Sequence, residues 1–598
     1  MSDVTPLTSS APAGAPSSKP ILDPRLGDFE SDHSAPKQRS FLAIAGSLVT
    51  EISLPKLAVI WTFQILAPAV LLGLAPLLLT AWIGEASSRF AEATEIGAVL
   101  VVIAAAAAAA YGWRPLYRLV ESNFWSLNAL AVQPGYALWR EAIRHLTERS
   151  LGGRTAHQLA RMRAASCAAA GVALSVVAVL VAVLVWPMTQ WIGSIADLTS
   201  PLSLALPTIA NTIAVMSVFL AAAALLWGFA DAFSDQPLDV KAANAPRPAS
   251  RVWRIAHLSD VHVVGERYGF RIESGRAGGR GNGRFERALA RLAAIHARDP
   301  LDIVLMTGDM TDAGASSEWS EFLDVLHAFP ELAARALLLP GNHDVNIVDR
   351  ANPARLDLPF SPIKALRRMR ALSVLAAVQG DRVRTLSDGA MVPLAQALES
   401  SRSDIEAFAD RSGLRLSRRL QRLWAGTFPL ILAPKGETGL GVAILDSNAD
   451  THFSFTNALG LIPAEQAKRL IAAFEAYPQA GWIVALHHHV TEYPRPVSAF
   501  SERIGTALIN GGWFLRQLKP YSDRIVVMHG HRHVDWIGAC GALTIVSAPS
   551  PVMAPEGRGT HFHVHSLAVG PDGRVSLLAP ERVEIIAEAA VQPAWAVA

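Results

Sequence analysis

The stretches LDIVLMTGD, residues 301–309, and ALLLPGNHD, residues 336–344, each hold a short apolar run, 303–306 and 336–339, that leads through a glycine into carboxylate, amide or imidazole groups. A short apolar run bounded by glycine or proline is the pattern of a strand buried on both faces. The switch to polar groups marks the strand's carboxyl end, which is where open α/β sheets bind ligands. Strands are predicted at 254–257, 303–306, 336–339, 441–445, 482–486 and 525–528. Five of these six run into such groups. They are Asp260-Val261-His262, Gly308-Asp309, Gly341-Asn342-His343-Asp344, His487-His488-His489 and Gly530-His531-Arg532-His533. Shorter runs at 543–546, 561–566 and 574–578 read as closing strands, and helical segments lie between them. The alternation predicts an α/β layered domain over 251–585.

Five separate strand ends therefore deliver oxygen and nitrogen donors toward one place. That donor set, free of thiolate, suits Mn, Fe or Zn and disfavours a structural cysteine-type zinc site. A carboxylate bridging two ions can hold them about 3.5–4 Å apart, the separation used for in-line attack on phosphorus. His343 has the proton affinity needed to protonate a leaving oxygen. The adjacent Asp344 is read as the carboxylate that orients it.

These blocks, in this order, resemble the calcineurin-like metallophosphoesterase superfamily, whose pattern is DxH, GD, GNH(D/E), H and GHxH. The resemblance spans Asp260 to His533. It implies an αββα sandwich with a dinuclear metal centre at one edge, and hydrolysis of phosphate esters. Carried over by position, it implies that Asp260, His262 and His533 hold one divalent ion. Asn342, His531 and one histidine of 487–489 hold the second, and Asp309 bridges the pair. Within the triplet the resemblance favours His487, with His488 as the alternative, because the proline that often follows in the family is missing.

Other groups carry two readings. Asp312 reads as a turn or helix cap rather than a ligand. His561, His563 and His565 alternate and so share one strand face, as a polar face or a further metal site. The arginine-rich loop 265–287 is either solvated or a clamp for an anionic substrate or lipid headgroup. Residues 346–437 read as a helical insertion placed to cap the site.

Outward from this domain the composition changes. With 51% hydrophobic and 17% charged residues and a mean hydropathy of +0.28, the chain is too apolar to be purely soluble and too polar to lie wholly in lipid. Residues 1–40 are rich in Ser, Ala, Pro and Asp and read as a disordered tail without a secretory signal. The region 41–235 holds four uncharged apolar stretches long enough to span a bilayer, at about 57–82, 96–113, 165–192 and 204–229. Asn211 inside the fourth reads as an inter-helix hydrogen-bonding group. Residues 236–250 read as a linker and 586–598 as a tail. Arginines crowd the connection between the second and third stretches, whereas the connection around Asp197 has no Lys or Arg. That asymmetry places the basic connection, both termini and the α/β domain in the cytoplasm, with the helices in the inner membrane. Trp125 and Trp139 suggest that the basic connection rests partly on the membrane surface. A net charge of +2 gives no reason to expect nucleic acid as a partner, and two cysteines build no disulfide framework. The chain is thus expected to be a membrane-anchored, two-metal phosphodiesterase or phosphatase. Its partners are a phosphate-ester substrate, lipid-linked or a small phosphodiester such as a cyclic nucleotide, and membrane lipids. A sensor or scaffold that binds a phosphorylated ligand without turnover is the alternative from another class.

Overall fold

A computed structural model of the chain describes residues 54–91, 132–150, 156–200, 202–240, 251–265, 281–349, 355–358, 361–387, 390–410, 413–494, 508–553 and 559–586, with residues 103, 104, 107 and 506. The strands, in chain order, begin with β1 (Pro237–Asp239), β2 (Arg251–Leu258), β3 (Ile303–Met306), β4 (Ala336–Leu338) and β5 (Arg384–Ser387). They continue with β6 (Ala390–Pro393), β7 (Leu430–Leu432), β8 (Leu440–Ile444), β9 (Gly481–Ala485) and β10 (Ile525–His529). The last are β11 (Trp536–Cys540), β12 (Leu543–Ser547), β13 (Thr560–Val569), β14 (Val575–Leu577) and β15 (Glu581–Ile585). They form a nine-stranded sheet, β1-β11-β12-β10-β9-β8-β7-β5-β6, and a six-stranded sheet, β14-β13-β2-β3-β4, in which β15 pairs with β13.

Side-chain alternation explains the layering. Ile483 and Ala485 of β9 share one core with Ile255, Leu305 and Leu338 of the smaller sheet. Trp482 and Val484 face the other way and pack with Leu470, Phe474 and Phe514 of the helices Ala464–Ala476 and Gly511–Leu518. Helices Gly281–Arg298 and Ser316–His327 add Phe285, Leu289 and Phe322 to the core shared by the sheets. β2, β3 and β4 are parallel, as are β8, β9 and β10. Their carboxyl ends therefore emerge along a common edge, where the polar blocks follow.

Two expectations about connections need correction. The predicted linker 236–250 begins with β1, which pairs antiparallel with β11 and ties the N-terminal region into the larger sheet. The predicted cap over 346–437 contains β5, β6 and β7, which extend that sheet. Its helix Pro362–Gln379 buries Met369, Leu372 and Leu375 in the main core. Being short and lacking sharp alternation, these strands carry a weak sequence signal; sheet pairing stabilises them instead.

Three helices in the N-terminal region are long and apolar enough to cross a membrane, over Ala67–Ser88, Gln158–Met188 and Ala205–Ala232. The predicted stretch 96–113 lies almost wholly outside the described residues. The first helix holds Pro76 and follows a π-helical segment, Trp61–Leu66, so its apolar span starts about ten residues later than expected. Trp82, Leu184 and Leu226 are 68%, 74% and 72% exposed, a surface that lipid would cover. Asn211 is buried, and its amide donates to Gly73 O (3.1 Å) and Gln190 O while accepting from Gln190 N. Gly171 lies against Gly228 so closely that an added Cβ would stand 2.8 Å from the facing Cα.

The polarity of the bundle is readable from its contacts. Thr212 meets Ala69, Asn211 meets Gly73 and Thr80 meets Gly193, so the first and third helices are antiparallel. Lys56 Nζ donates to Leu356 O, Arg163 Nη2 to Pro494 O, and Arg516 Nη1 to Asp231 Oδ1. The start of the first helix, the start of the second and the end of the third thus face the α/β domain. The C-terminal end of the first helix and the turn at 189–194 lie at the opposite end. The amphipathic helix Gln133–Ser150 sits at the domain end, where Tyr136 and Arg140 both donate to Asp231. Trp139 is half-buried and packs against the cluster of Tyr136, Ala170, Leu174 and Ala224; Trp125 lies outside the described residues.

Candidate metal centre

Seven side chains converge at the shared strand edge. Asp260 and His262 lie beyond β2, Asp309 beyond β3, Asn342 beyond β4, His487 beyond β9, and His531 and His533 beyond β10. His533 Nε2 lies 3.4 Å from Asp260 Oδ1, and His262 Nε2 lies 3.7 Å from Asp309 Oδ2. On the other side of Asp309, Oδ2 is 3.3 Å from His487 Nε2, which is 3.1 Å from both Asn342 Oδ1 and His531 Nδ1. The ligand atoms of Asp260, His262 and His533 fall within 4.8 Å of one another, as do those of Asp309, His487 and His531. Asp309 stands between the two groups.

The backbone is bent to bring them together. Asp260, His262, Asp309, His531 and His533 all have positive φ, between 42° and 76°. Non-glycine residues rarely adopt this conformation, and clusters of it mark functional sites. The adjoining glycines permit the approach: a Cβ on Gly341 would stand 2.1 Å from Asp309 Oδ1, and one on Gly530 would stand 2.5 Å from Asp260 Oδ2.

Charge and hydrogen bonding fit a pair of cations. Asp260 Oδ1, both ring nitrogens of His262 and Asn342 Nδ2 are buried and make no hydrogen bond. Such atoms occur elsewhere among the described residues too, but Asp260 Oδ1 and the ring nitrogens of His262 are lone-pair donors of the kind a cation takes. Burial opposes ionisation of Asp309, but His487, His343 and His262 outweigh it and hold its carboxyl well below the usual range. Burial also opposes protonation of His487, yet Asp309 pushes it up to about 9. Burial and the neighbouring His488 and His487 hold His531 neutral, the form that binds a metal. His487 Nδ1 lies 2.8 Å from Thr307 O and His531 Nε2 lies 3.1 Å from Thr506 O. Each carbonyl fixes one ring nitrogen as the N–H and turns the other toward Asp309.

Within the triplet, His487 reaches Asp309 and Asn342. His488 Nδ1 instead lies 2.8 Å from Ser447 Oγ, and His489 Nε2 lies 3.3 Å from Glu492 Oε1. The reading of Asp344 as partner of His343 is corrected. Its carboxylate accepts from Thr311 N, Thr311 Oγ1, Gly341 N and Met310 N, and so clamps the loops after β3 and β4 together. Burial and the nearby charge of Asp309 push that carboxyl up to about 7. The partner of His343 is Asp312: His343 Nδ1 lies 2.6 Å from its carbonyl oxygen and 3.8 Å from its carboxylate. The same carboxylate lies 3.3 Å from His262 Nδ1. Asp312 thus faces both histidines, His343 through its backbone carbonyl and His262 through its carboxylate. Its place three residues after Asp309 is the signal that pointed to it. Of the arginine-rich loop, residues 266–280 lie outside the described residues; Arg284 is buried and donates to Val552 O.

Residues 254–535 match the family model for calcineurin-like phosphoesterases. A probable cyclic nucleotide phosphodiesterase of Coxiella burnetii (strain RSA 493 / Nine Mile phase I) is 26% identical over 149 residues, 25% of this chain and 55% of that relative. The chain thus spans about half the length of the curated relative it matches. Among solved structures, a dimetal phosphatase from Danio rerio is similar at TM-score 0.30 and 13% identity, over 56% of this chain and 98% of that one. A putative 5'-nucleotidase from Staphylococcus aureus is similar at TM-score 0.28 and 12% identity, over 57% and 56% respectively.

Proposed function

We infer that this chain, whose residues 254–535 form a calcineurin-like metallophosphoesterase domain, is a membrane-anchored hydrolase of phosphate esters whose site works beside the bilayer. Asp260, His262 and His533 would hold one divalent ion, Asn342, His487 and His531 the other, with Asp309 between them. When bound, such a pair polarises a phosphoryl group and activates water at neutral pH. The chain's own groups do the rest. Asp312 holds Nδ1 of His343, so the proton that His343 passes to the leaving oxygen is the one at Nε2. Asp344 supports this by keeping Asp309 and Asn342 at a fixed separation through its four hydrogen bonds.

The observation that carries the reading is the convergence of two groups of ligand atoms, Asp260/His262/His533 and Asp309/His487/His531, each within 4.8 Å, on either side of Asp309. The preference for a lipid-linked or membrane-derived ester rests on where the bundle touches the domain. Leu356 and Pro494, the contacts of Lys56 and Arg163, lie on segments that leave the site blocks Asn342–Val345 and His487–His489. A small phosphodiester such as a cyclic nucleotide is the second reading, favoured by the curated relative. Arg140, Arg144 and Arg163 stand at the domain end of the bundle, which supports a cytoplasmic catalytic domain. The end of the first helix and the start of the helix Gln133–Ser150 lie at opposite ends of the bundle, which supports a fourth crossing between them. The test is hydrolysis of bis(p-nitrophenyl) phosphate by purified full-length protein with added Mn²⁺. Activity that disappears in Asp309→Ala is expected. A wild type that binds ions but turns nothing over would leave the scaffold reading standing.

A further inference from the structure

A second cluster of metal-binding side chains lies outside the seven. Asp535 Oδ2 is 2.8 Å from His561 Nε2, and its Oδ1 is 3.0 Å from His563 Nε2. The three ligand atoms lie within 4.8 Å of one another. The two histidines alternate on β13, so both rings project from one face, while Asp535 reaches them from the segment joining His533 to β11. The same pairing of carboxylate with imidazole occurs in the principal centre, at the longer separations of 3.4 Å for His533 and Asp260 and 3.3 Å for His487 and Asp309.

We propose that Asp535, His561 and His563 form a third metal site, for an exchangeable borderline divalent ion of the zinc type. Two imidazoles and a carboxylate are a donor set such an ion takes, leaving a position for water. The side chains of His561 and Asp535 are 18% and 35% exposed, so the ion has access from solvent. One group competes with it. Arg582 Nη2 lies 3.3 Å from His561 Nδ1, which must carry the proton once Nε2 takes a cation. Arg582 is half-exposed and also paired with Glu584, so it has solvent to turn into. Glu584 stands directly opposite His561 across the β13–β15 pair and is placed to accept the Nδ1 proton in its stead.

The position gives the site a use. β11 belongs to the nine-stranded sheet and β13 to the six-stranded one, so an ion here ties the two together. It does so at the foot of the segment that carries His531 and His533, both held at positive φ. Occupancy would fix that segment and with it two ligands of the principal centre. The bland alternative is a carboxylate that accepts two imidazole hydrogen bonds and never meets a cation.

The test is zinc titration of chelator-stripped full-length protein, with bound metal counted by mass spectrometry. The wild type is expected to bind one ion more than His561→Gln/His563→Gln at saturating zinc. Equal stoichiometry overturns the proposal. Because the readout is a difference, it holds whether or not the principal centre loads fully, so the two assignments fail separately. Should the double variant not fold, Arg582→Ala removes the competing cation and no ligand, and is expected to tighten the weakest-bound zinc. An unchanged affinity in that variant overturns the proposal equally.

Discussion

Two buried asparagines, one in the membrane bundle and one in the α/β domain, show what separates packing from chemistry in this molecule. Asn211 is fully enclosed, and both ends of its amide are hydrogen-bonded to backbone of neighbouring segments. Asn342 is equally enclosed, but its Nδ2 makes no hydrogen bond and its Oδ1 faces His487. Leaving a buried amide unpaired costs about 1–3 kcal/mol. Asn211 avoids that cost by pairing, whereas Asn342 stands at an edge that also holds five residues at positive φ. The carboxylates and imidazoles bent together at that edge, with Oδ1 of Asn342, are the groups that a bound pair of cations would hold.

Substitutions at the two asparagines should therefore differ in kind. The largest effect is expected from Asn342→Leu, which should lower hydrolysis by on the order of 10³-fold, an amount comparable to removing one electrostatic stabiliser from an active site. Thermal unfolding should shift little, and wild-type turnover in this variant would break the distinction. Asp312→Asn should weaken metal affinity or turnover by about 10–100-fold, as outer partners of ligating histidines do. An effect confined to thermal stability would return Asp312 to the turn role.

The pH response sharpens the same contrast. In the metal-free protein Asp309 raises His487 to about 9. The stability this pair contributes is fully present below the ordinary histidine value and is lost as pH rises through about 9. A cation must displace that proton, so apparent metal affinity should fall as pH drops below about 9, by up to about tenfold per pH unit. Isothermal titration in buffers of different ionisation enthalpy would detect the released proton; a pH-independent affinity would count against His487 as a ligand. The smallest effect is expected from Asn211→Leu, a loss of about 1 kcal/mol in detergent-solubilised protein. Turnover per metal-loaded molecule should be unchanged.

Much of the site was legible because ligand chemistry is written in residue type. Asp260, His262, Asp309, Asn342, His531 and His533 follow apolar runs in the sequence, and the fold brings them together. The partners of the histidines were not legible. Asp344 neighbours His343 in the chain, yet its carboxylate points at Thr311 and Gly341, while Asp312 arrives from another loop. Likewise β1, β5, β6 and β7 are too short to announce themselves and exist because an adjacent strand offers an open edge.

By itself the sequence determined the donor types, their order at successive strand ends, and the presence of long uncharged helices before them. These follow from local apolar patterning, which each segment carries alone. Only the tertiary structure decided that His487 and not His488 meets Asp309, that the carbonyl of Asp312 orients His343, and that Asp535 joins His561 and His563 across 26 and 28 residues of chain. Those choices depend on strand register and loop direction, which are set by packing between distant segments.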